Sequence, residues 1–267
     1  MAALFQRLFR RNPAQLPCIG AGQRIYAIGD VHGRLDLLTA LCDTIDDDDR
    51  QLAPLDTTVI FLGDLIDRGP DSAETLRFTR EWREKRHVRF IMGNHEEMLL
   101  LSLEQPEALG GFLRFGGRET LASYGLDTDE FTNTPYEKIQ AQLVEIVPPK
   151  DRAFIRNFES SITVGDYLFV HAGVRPNIPI EEQEMQDLRW IREPFLSFRG
   201  DHGLHVVHGH TISDEVELKT NRTGIDTGAY RTGKLTALCL EGTDKRILQT
   251  EQDDSGIRVI ERITEEA

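Results

Sequence analysis

The stretch FIMGNHEEML, residues 90–99, breaks off an apolar run abruptly at Gly93, Asn94, His95 and Glu96. Polar groups at the end of an apolar strand form a turn or a cap; at the carboxyl edge of an α/β sheet they also line a ligand crevice. The other strand ends decide which reading holds. RIYAIGDVHG (24–33), TTVIFLGDLIDRG (57–69), VRFIMGNHE (88–96), YLFVHAG (167–173) and HVVHGHT (205–211) share one plan, a short β-branched or aromatic run ending at Asp, Asn or His beside Gly. Continuous apolar runs suit strands covered on both faces, and RLDLLTALCDTI (34–45) and DSAETLRFTREWREK (71–85) between them carry helical spacing. The order β-α-β-α-β predicts an α/β sheet.

A chain of 267 residues, 39% hydrophobic, can bury one large core. Its formal charge of −14 opposes a general nucleic-acid binder, which needs a basic face, and suits a cation site. Cys18, Cys42 and Cys239 are odd in number, far apart and without CxxC spacing, which excludes a disulfide framework and a structural zinc finger. No apolar stretch approaches 18 residues and no apolar signal core is present, so a soluble, cytoplasmic protein is expected. Residues 1–12, MAALFQRLFRRN, have the pattern of a short basic amphipathic helix, and residues 1–22 are read as a leader before a single domain over 23–267.

If the strands are parallel neighbours, their carboxyl ends gather Asp30, His32, Asp64, Asn94, His171 and His210 on one edge. Carboxylate, amide oxygen and imidazole without thiolate suit Mn, Fe, Zn or Mg. Six such groups exceed the needs of one four-coordinate ion. Two ions about 3.5–4 Å apart, bridged by one carboxylate, would use them all. A lone strand-end His or Asp is commonly a turn former, but five independent ends repeating the pattern favour the metal reading.

GDVHG, GDLIDRG, GNHE, HAG and GHT, in this order between residues 29 and 211, resemble the signature blocks of the PPP-type metallophosphatases within the calcineurin-like metallophosphoesterase superfamily. The resemblance implies an α/β fold of two mixed β-sheets packed as a sandwich and flanked by helices, four layers in all. By position, Asp30, His32 and Asp64 would bind one metal, with Asp64 bridging, and Asn94, His171 and His210 would complete the second. Two divalent ions are expected, manganese first, with iron, zinc and magnesium as alternatives. ALCLEG (237–242) and RILQT (246–250) read as late strands finishing the second sheet.

Hydrolysis then needs a nucleophile, charge neutralisation and a proton for the leaving oxygen. In the family pattern a metal-bridging hydroxide attacks, since metals lower the pKa of water from 15.7 toward about 7. His95 is the expected general acid, oriented by Asp67. Arg68 and, in WIREPF, Arg192 are the expected phosphoryl clamps, with an ordinary surface arginine as the plainer reading of Arg192.

The bacterial serine/threonine protein phosphatase branch is the leading expectation, with phosphoprotein or a small phosphoester as substrate. The alternative is a dinucleoside polyphosphate (diadenosine tetraphosphate) hydrolase, and a second alternative is a phosphate-binding sensor without catalysis. Met92 stands where many protein phosphatases of the family carry Arg, and Glu96 where the tetraphosphate hydrolases usually carry Asp, so these two positions point opposite ways. Residues 97–166 are expected to form a helical insertion whose rim, FLRFGGRETLASYG (112–125), holds Phe115, Arg118 and Tyr124. In GIDTGAY (224–230), Asp226 is either a support for a metal ligand or a turn former, and the role of Tyr230 stays open. DDDD at 46–49 reads as a solvated helix end.

Overall fold

The computed structural model describes residues 16–129, 131 and 134–263. The amphipathic segment expected over 1–12 lies outside them. In chain order the strands are β1 (Gln23–Ile28), β2 (Asp56–Phe61), β3 (Val88–Phe90), β4 (Ser161–Val164), β5 (Tyr167–Val170), β6 (His205–His208), β7 (Glu217–Leu218), β8 (Arg222–Gly224), β9 (Thr236–Glu241), β10 (Asp244–Asp253) and β11 (Gly256–Ile263). The helices are α1 (Leu35–Gln51), α2 (Ser72–Trp82), α3 (Asn94–Glu104), α4 (Leu109–Phe112), α5 (Arg118–Ser123), α6 (Tyr136–Ile146), α7 (Pro149–Arg156), α8 (Met185–Trp190) and α9 (Ala229–Thr232).

Two mixed sheets result, ordered β11-β10-β9-β1-β2-β3 and β4-β5-β6-β8-β7. Each contains a parallel run, β1-β2-β3 at one end of the first and β5-β6-β8 at the centre of the second. Strand alternation explains the layers. Ile25 and Ala27 of β1 join Ile60, Tyr167, Phe169 and Val207 in a core between the sheets, while Tyr26 and Ile28 face the other way, with Leu38, Leu41 and Ile45 of α1. On the far side, Leu168, Val170 and Val206 pack with Leu188 of α8 and Phe195. Both faces of the central strands are therefore buried, which is why they read as unbroken apolar runs. The result is the sandwich flanked by helices that the resemblance implies.

Three expectations need correcting. ALCLEG and RILQT are strands, but they join the sheet of β1, where Ile25 pairs with Leu240 and Ala27 with Leu238. Leu238 and Leu240 face the core between the sheets and Ala237 and Cys239 the helix-side core, and only an interior strand buries both sets. The helical segment ends before residue 166, because the β-branched SITV forms β4. DDDD lies within the last turns of α1, and it is not merely solvated: Asp48 binds Arg246 and the Tyr26 hydroxyl, while Asp49 binds Arg24 and Arg86. These contacts tie α1 to β1, β10 and the segment before β3. Among the described residues no helix is long and apolar enough to cross a membrane, and all three cysteines are unpaired.

Candidate active site

Because β1, β2, β3, β5, β6 and β8 run parallel within their sheets, the loops that leave them converge at one edge of the sandwich. Asp30 follows β1, Asp64 follows β2, Asn94 starts α3 after β3, His171 follows β5 and His210 follows β6. Local backbone is bent to achieve this. His32, Asp64, Asp67, Arg68 and His210 all have positive φ, between 49° and 72°, a conformation that non-glycine residues hold only when their surroundings impose it. The glycines beside them permit close approach: a Cβ on Gly209 would collide with Asp30 Oδ1, and one on Gly93 with Asp64.

The six expected ligands come together and are buried. Asp64 Oδ2 stands 3.7 Å from His32 Nε2 and 3.4 Å from His171 Nε2. Asn94 Oδ1 lies 2.9 Å from His171 Nε2 and 2.8 Å from His210 Nδ1. Asp30 accepts the His210 backbone N–H at 3.0 Å. The far nitrogens are tethered, His32 Nδ1 to the Ile66 carbonyl and His171 Nδ1 to the Leu62 carbonyl, each at 2.8 Å, so that Nε2 of each faces inward. Metal-binding imidazoles are oriented in this way. Two donor groups, His32–Asp64–His95 and Asp64–His171–His210, share Asp64.

The electrostatics fit divalent cations. Burial, then repulsion by Asp226 and Asp64, pushes Asp30 well above its ordinary value, and burial pushes Asp226 up to about 6. Burial tends to raise Asp64 too, but His171, His95, His32 and His210 more than offset it and hold its carboxyl low. Burial holds His32, His171 and His210 in the neutral, ligating form. Arg68 points one guanidinium nitrogen at His32 Nε2 (2.9 Å), a lone pair that a metal ion would take, and the buried His210 Nε2 has no hydrogen-bond partner among the described residues. Anionic oxygens, neutral imidazoles and an orphaned ring nitrogen make a site for positive charge.

His95 differs from the other three imidazoles. Burial lowers its pKa, but the carboxylates of Asp64 and Asp67 outweigh burial and hold it above the ordinary histidine value. Its Nδ1 pairs with Asp67 Oδ2 at 2.6 Å, and its Nε2 lies 2.9 Å from a guanidinium nitrogen of Arg68. A ring that keeps its proton is suited to acid catalysis. Asp67 is itself held by Thr120 Oγ1, at 2.5 Å, and its backbone N–H donates to Thr120 Oγ1 and Ser72 Oγ. The Arg68 guanidinium lies 5.0 Å from the Tyr230 ring, which stands nearly perpendicular to the His32 ring with centroids 5.5 Å apart. Tyr230 is thus a platform under Arg68. Arg192 is exposed, and its charge depresses the pKa of both His171 and His210.

Asp226 makes the turn bond, accepting the Gly228 N–H at 2.9 Å, and its carboxyl lies close enough to Asp30 to repel it. Tyr124 is turned away from the site and donates to Asp151 at 3.0 Å. Glu96 makes no approach to a substrate. It is fully buried, and its carboxylate accepts the backbone N–H groups of Asp64 (2.9 Å), Leu65 (2.7 Å) and Gly93 (3.2 Å). Its position three residues after Gly93, a capping-box spacing, is the signal that could have identified this role. Met92 packs into the helix-side core. Neither departure from the family pattern therefore faces the substrate. Glu96→Gln, which turns one of the two oxygens that accept the loop's N–H groups into a donor, is expected to cost about 1–3 kcal/mol in urea unfolding at constant m-value. A loss near zero would mean that the loop holds itself.

A family model for calcineurin-like phosphoesterases matches residues 23–239. The bis(5'-nucleosyl)-tetraphosphatase PrpE (asymmetrical) of Bacillus velezensis is 27% identical over 237 residues, covering 78% of this chain and 86% of that one. The symmetrical bis(5'-nucleosyl)-tetraphosphatase of Paracidovorax citrulli is 36% identical over 106 residues, 38% of this chain and 35% of that one. Among solved structures, the cold-active protein tyrosine phosphatase of a psychrophilic Shewanella superposes with a TM-score of 0.55 at 20% identity, over 91% of this chain and 83% of that one. With the matched segment running from β1 through β9 and enclosing every strand end of the site, the chain belongs to the calcineurin-like phosphoesterases and is a metal-dependent phosphoester hydrolase.

Proposed function

We propose that this hydrolase cleaves a phosphoanhydride bond of dinucleoside polyphosphates, with diadenosine tetraphosphate as the representative substrate. The observation that carries this reading is the similarity to PrpE across 78% of this chain and 86% of that protein. The phosphoprotein reading draws on the same catalytic groups, and the buried, apolar Met92 leaves it without an extra phosphate-binding cation before Asn94. At 20% identity, the likeness to the tyrosine phosphatase speaks for fold alone.

Asp30, His32 and Asp64 would hold one ion, and Asp64, Asn94, His171 and His210 the other, with manganese the first candidate. When bound, the ions would acidify a water toward a pKa of about 7 and neutralise charge on the phosphoryl oxygens. Arg68, held over Tyr230 between His32 and His95, offers paired donors to the reacting phosphoryl group. His95, kept protonated by Asp67, gives its proton to the phosphate oxygen that leaves, and Thr120 fixes the carboxylate that orients it. Arg192 adds positive charge on the His171–His210 side.

The test is side-by-side turnover of diadenosine tetraphosphate and a phosphothreonine peptide by the manganese-loaded protein, with nucleotide products identified. A kcat/KM at least about tenfold higher for the dinucleotide is expected. ATP plus AMP would mark asymmetrical cleavage and ADP alone symmetrical cleavage. Preference for the peptide would reject the proposal.

A further inference from the structure

A substrate with two nucleosides and four phosphates extends well beyond the reacting phosphorus, so the part that does not react also needs a seat. This inference rests on the dinucleotide reading above. A cavity of about 570 Å³, within the range of small-molecule sites, opens in the helical layer and is lined by Gly110, Leu113, Arg114, Arg118, Phe131 and Tyr136 among others. It adjoins the catalytic edge through a single turn. The segment Leu113–Gly117 forms a π-helical turn in which Gly116 takes φ 112°, and its carbonyl accepts the Arg68 backbone N–H at 3.1 Å. A Cβ on Gly116 would sit 2.7 Å from Arg68 Cγ, so the close packing requires glycine. Arg114, on the cavity wall, is thus two residues from the turn's contact with Arg68.

Charge singles out this cavity. In a chain of net charge −14, the described residues that line it include two arginines and no carboxylate. Arg118 is braced by the Thr128 carbonyl at 2.9 Å, whereas Arg114 is exposed, with its guanidinium 6.0 Å from the Phe115 ring and no carboxylate partner among the described residues. Tyr136, 44% exposed, presents an aromatic ring. A second cavity, about 450 Å³ beside Arg192, is less suited: Glu184, Asp187 and Glu193 oppose Arg175 and Arg192, and Asp187 already occupies Arg175 at 2.7 Å. The first cavity therefore suits a polyanion better than the second.

We propose that the Arg114 cavity binds the distal nucleotide of the substrate, the portion beyond the phosphoryl group held at Arg68. Arg114 and Arg118 would take its phosphates by charge-assisted hydrogen bonds, and Tyr136 would give its base an apolar face. The test is kcat/KM for diadenosine tetraphosphate divided by kcat/KM for p-nitrophenyl phosphate, which has no distal part, in wild type, Arg114→Ala, Arg114→Glu and Arg114→Lys. The ratio is expected to fall about tenfold or more in Arg114→Ala, as loss of a charge-assisted bond gives, further in Arg114→Glu, and to recover in part in Arg114→Lys. A ratio that holds in all three while wild type cleaves the dinucleotide overturns the cavity assignment and leaves the function standing. A wild type that does not cleave the dinucleotide overturns the function, and the distal seat with it.

Discussion

Replacing His95 by Asn is expected to lower kcat by about 10²- to 10⁴-fold on diadenosine tetraphosphate while two metal ions stay bound. Asn keeps a polar group of similar reach but cannot carry the proton that Asp67 holds on the ring, 2.6 Å away. The loss should be smaller on p-nitrophenyl phosphate, since p-nitrophenolate leaves without much help from an acid, and larger on a phosphothreonine peptide, whose alkoxide leaves poorly. Metal analysis by plasma mass spectrometry is the companion measurement. His95 Nε2 lies 3.8 Å from Asp64 Oδ2, near enough to be mistaken for a ligand. A variant that loses an ion would make it one, and a variant with full rate on all three substrates would remove it from catalysis.

Asp64→Asn is expected to abolish hydrolysis of every substrate by reducing bound metal from about two ions per chain to below one. Asp64 is the carboxylate common to both donor groups, surrounded by His32, His95 and His171 at 3.4–3.8 Å. An amide has one weakly basic oxygen and no charge, so it cannot serve two cations. The fold should survive, because Asn tolerates the positive φ of 50° at this position and the backbone N–H remains held by Glu96. Unfolding of the metal-free variant near the wild-type midpoint, together with the loss of metal, is the expected pair of results. Two ions retained at full occupancy would show that Asp64 does not bridge.

The strand ends were legible because the property that makes them a site also shapes the chain locally. Asp30, Asp64, Asn94, His171 and His210 each follow an apolar run, and parallel pairing within each sheet, with the two sheets packed face to face, brings them together. Asp67, Arg68 and His95 lie within the same blocks. What escaped were contacts between distant segments. Thr120 supports Asp67 from 53 residues away, across the helical layer, and nothing in its local spacing marks it. Sheet membership of β9 and β10 was misassigned because alternating burial says that a strand is interior but not which sheet it enters. Glu96 was misread as a substrate marker for a different reason. Its side chain folds back on the loop before it, and a buried carboxylate that holds backbone N–H groups looks in sequence like any other polar residue of a signature block.

The most direct test of the account is anomalous diffraction from crystals of the protein grown with manganese. Two peaks about 3.5–4 Å apart are expected at the convergence of the strand ends, one against Asp30 and His32, the other against Asn94, His171 and His210, with Asp64 between them. A single peak, or a peak coordinated by His95 in place of His32, would contradict it.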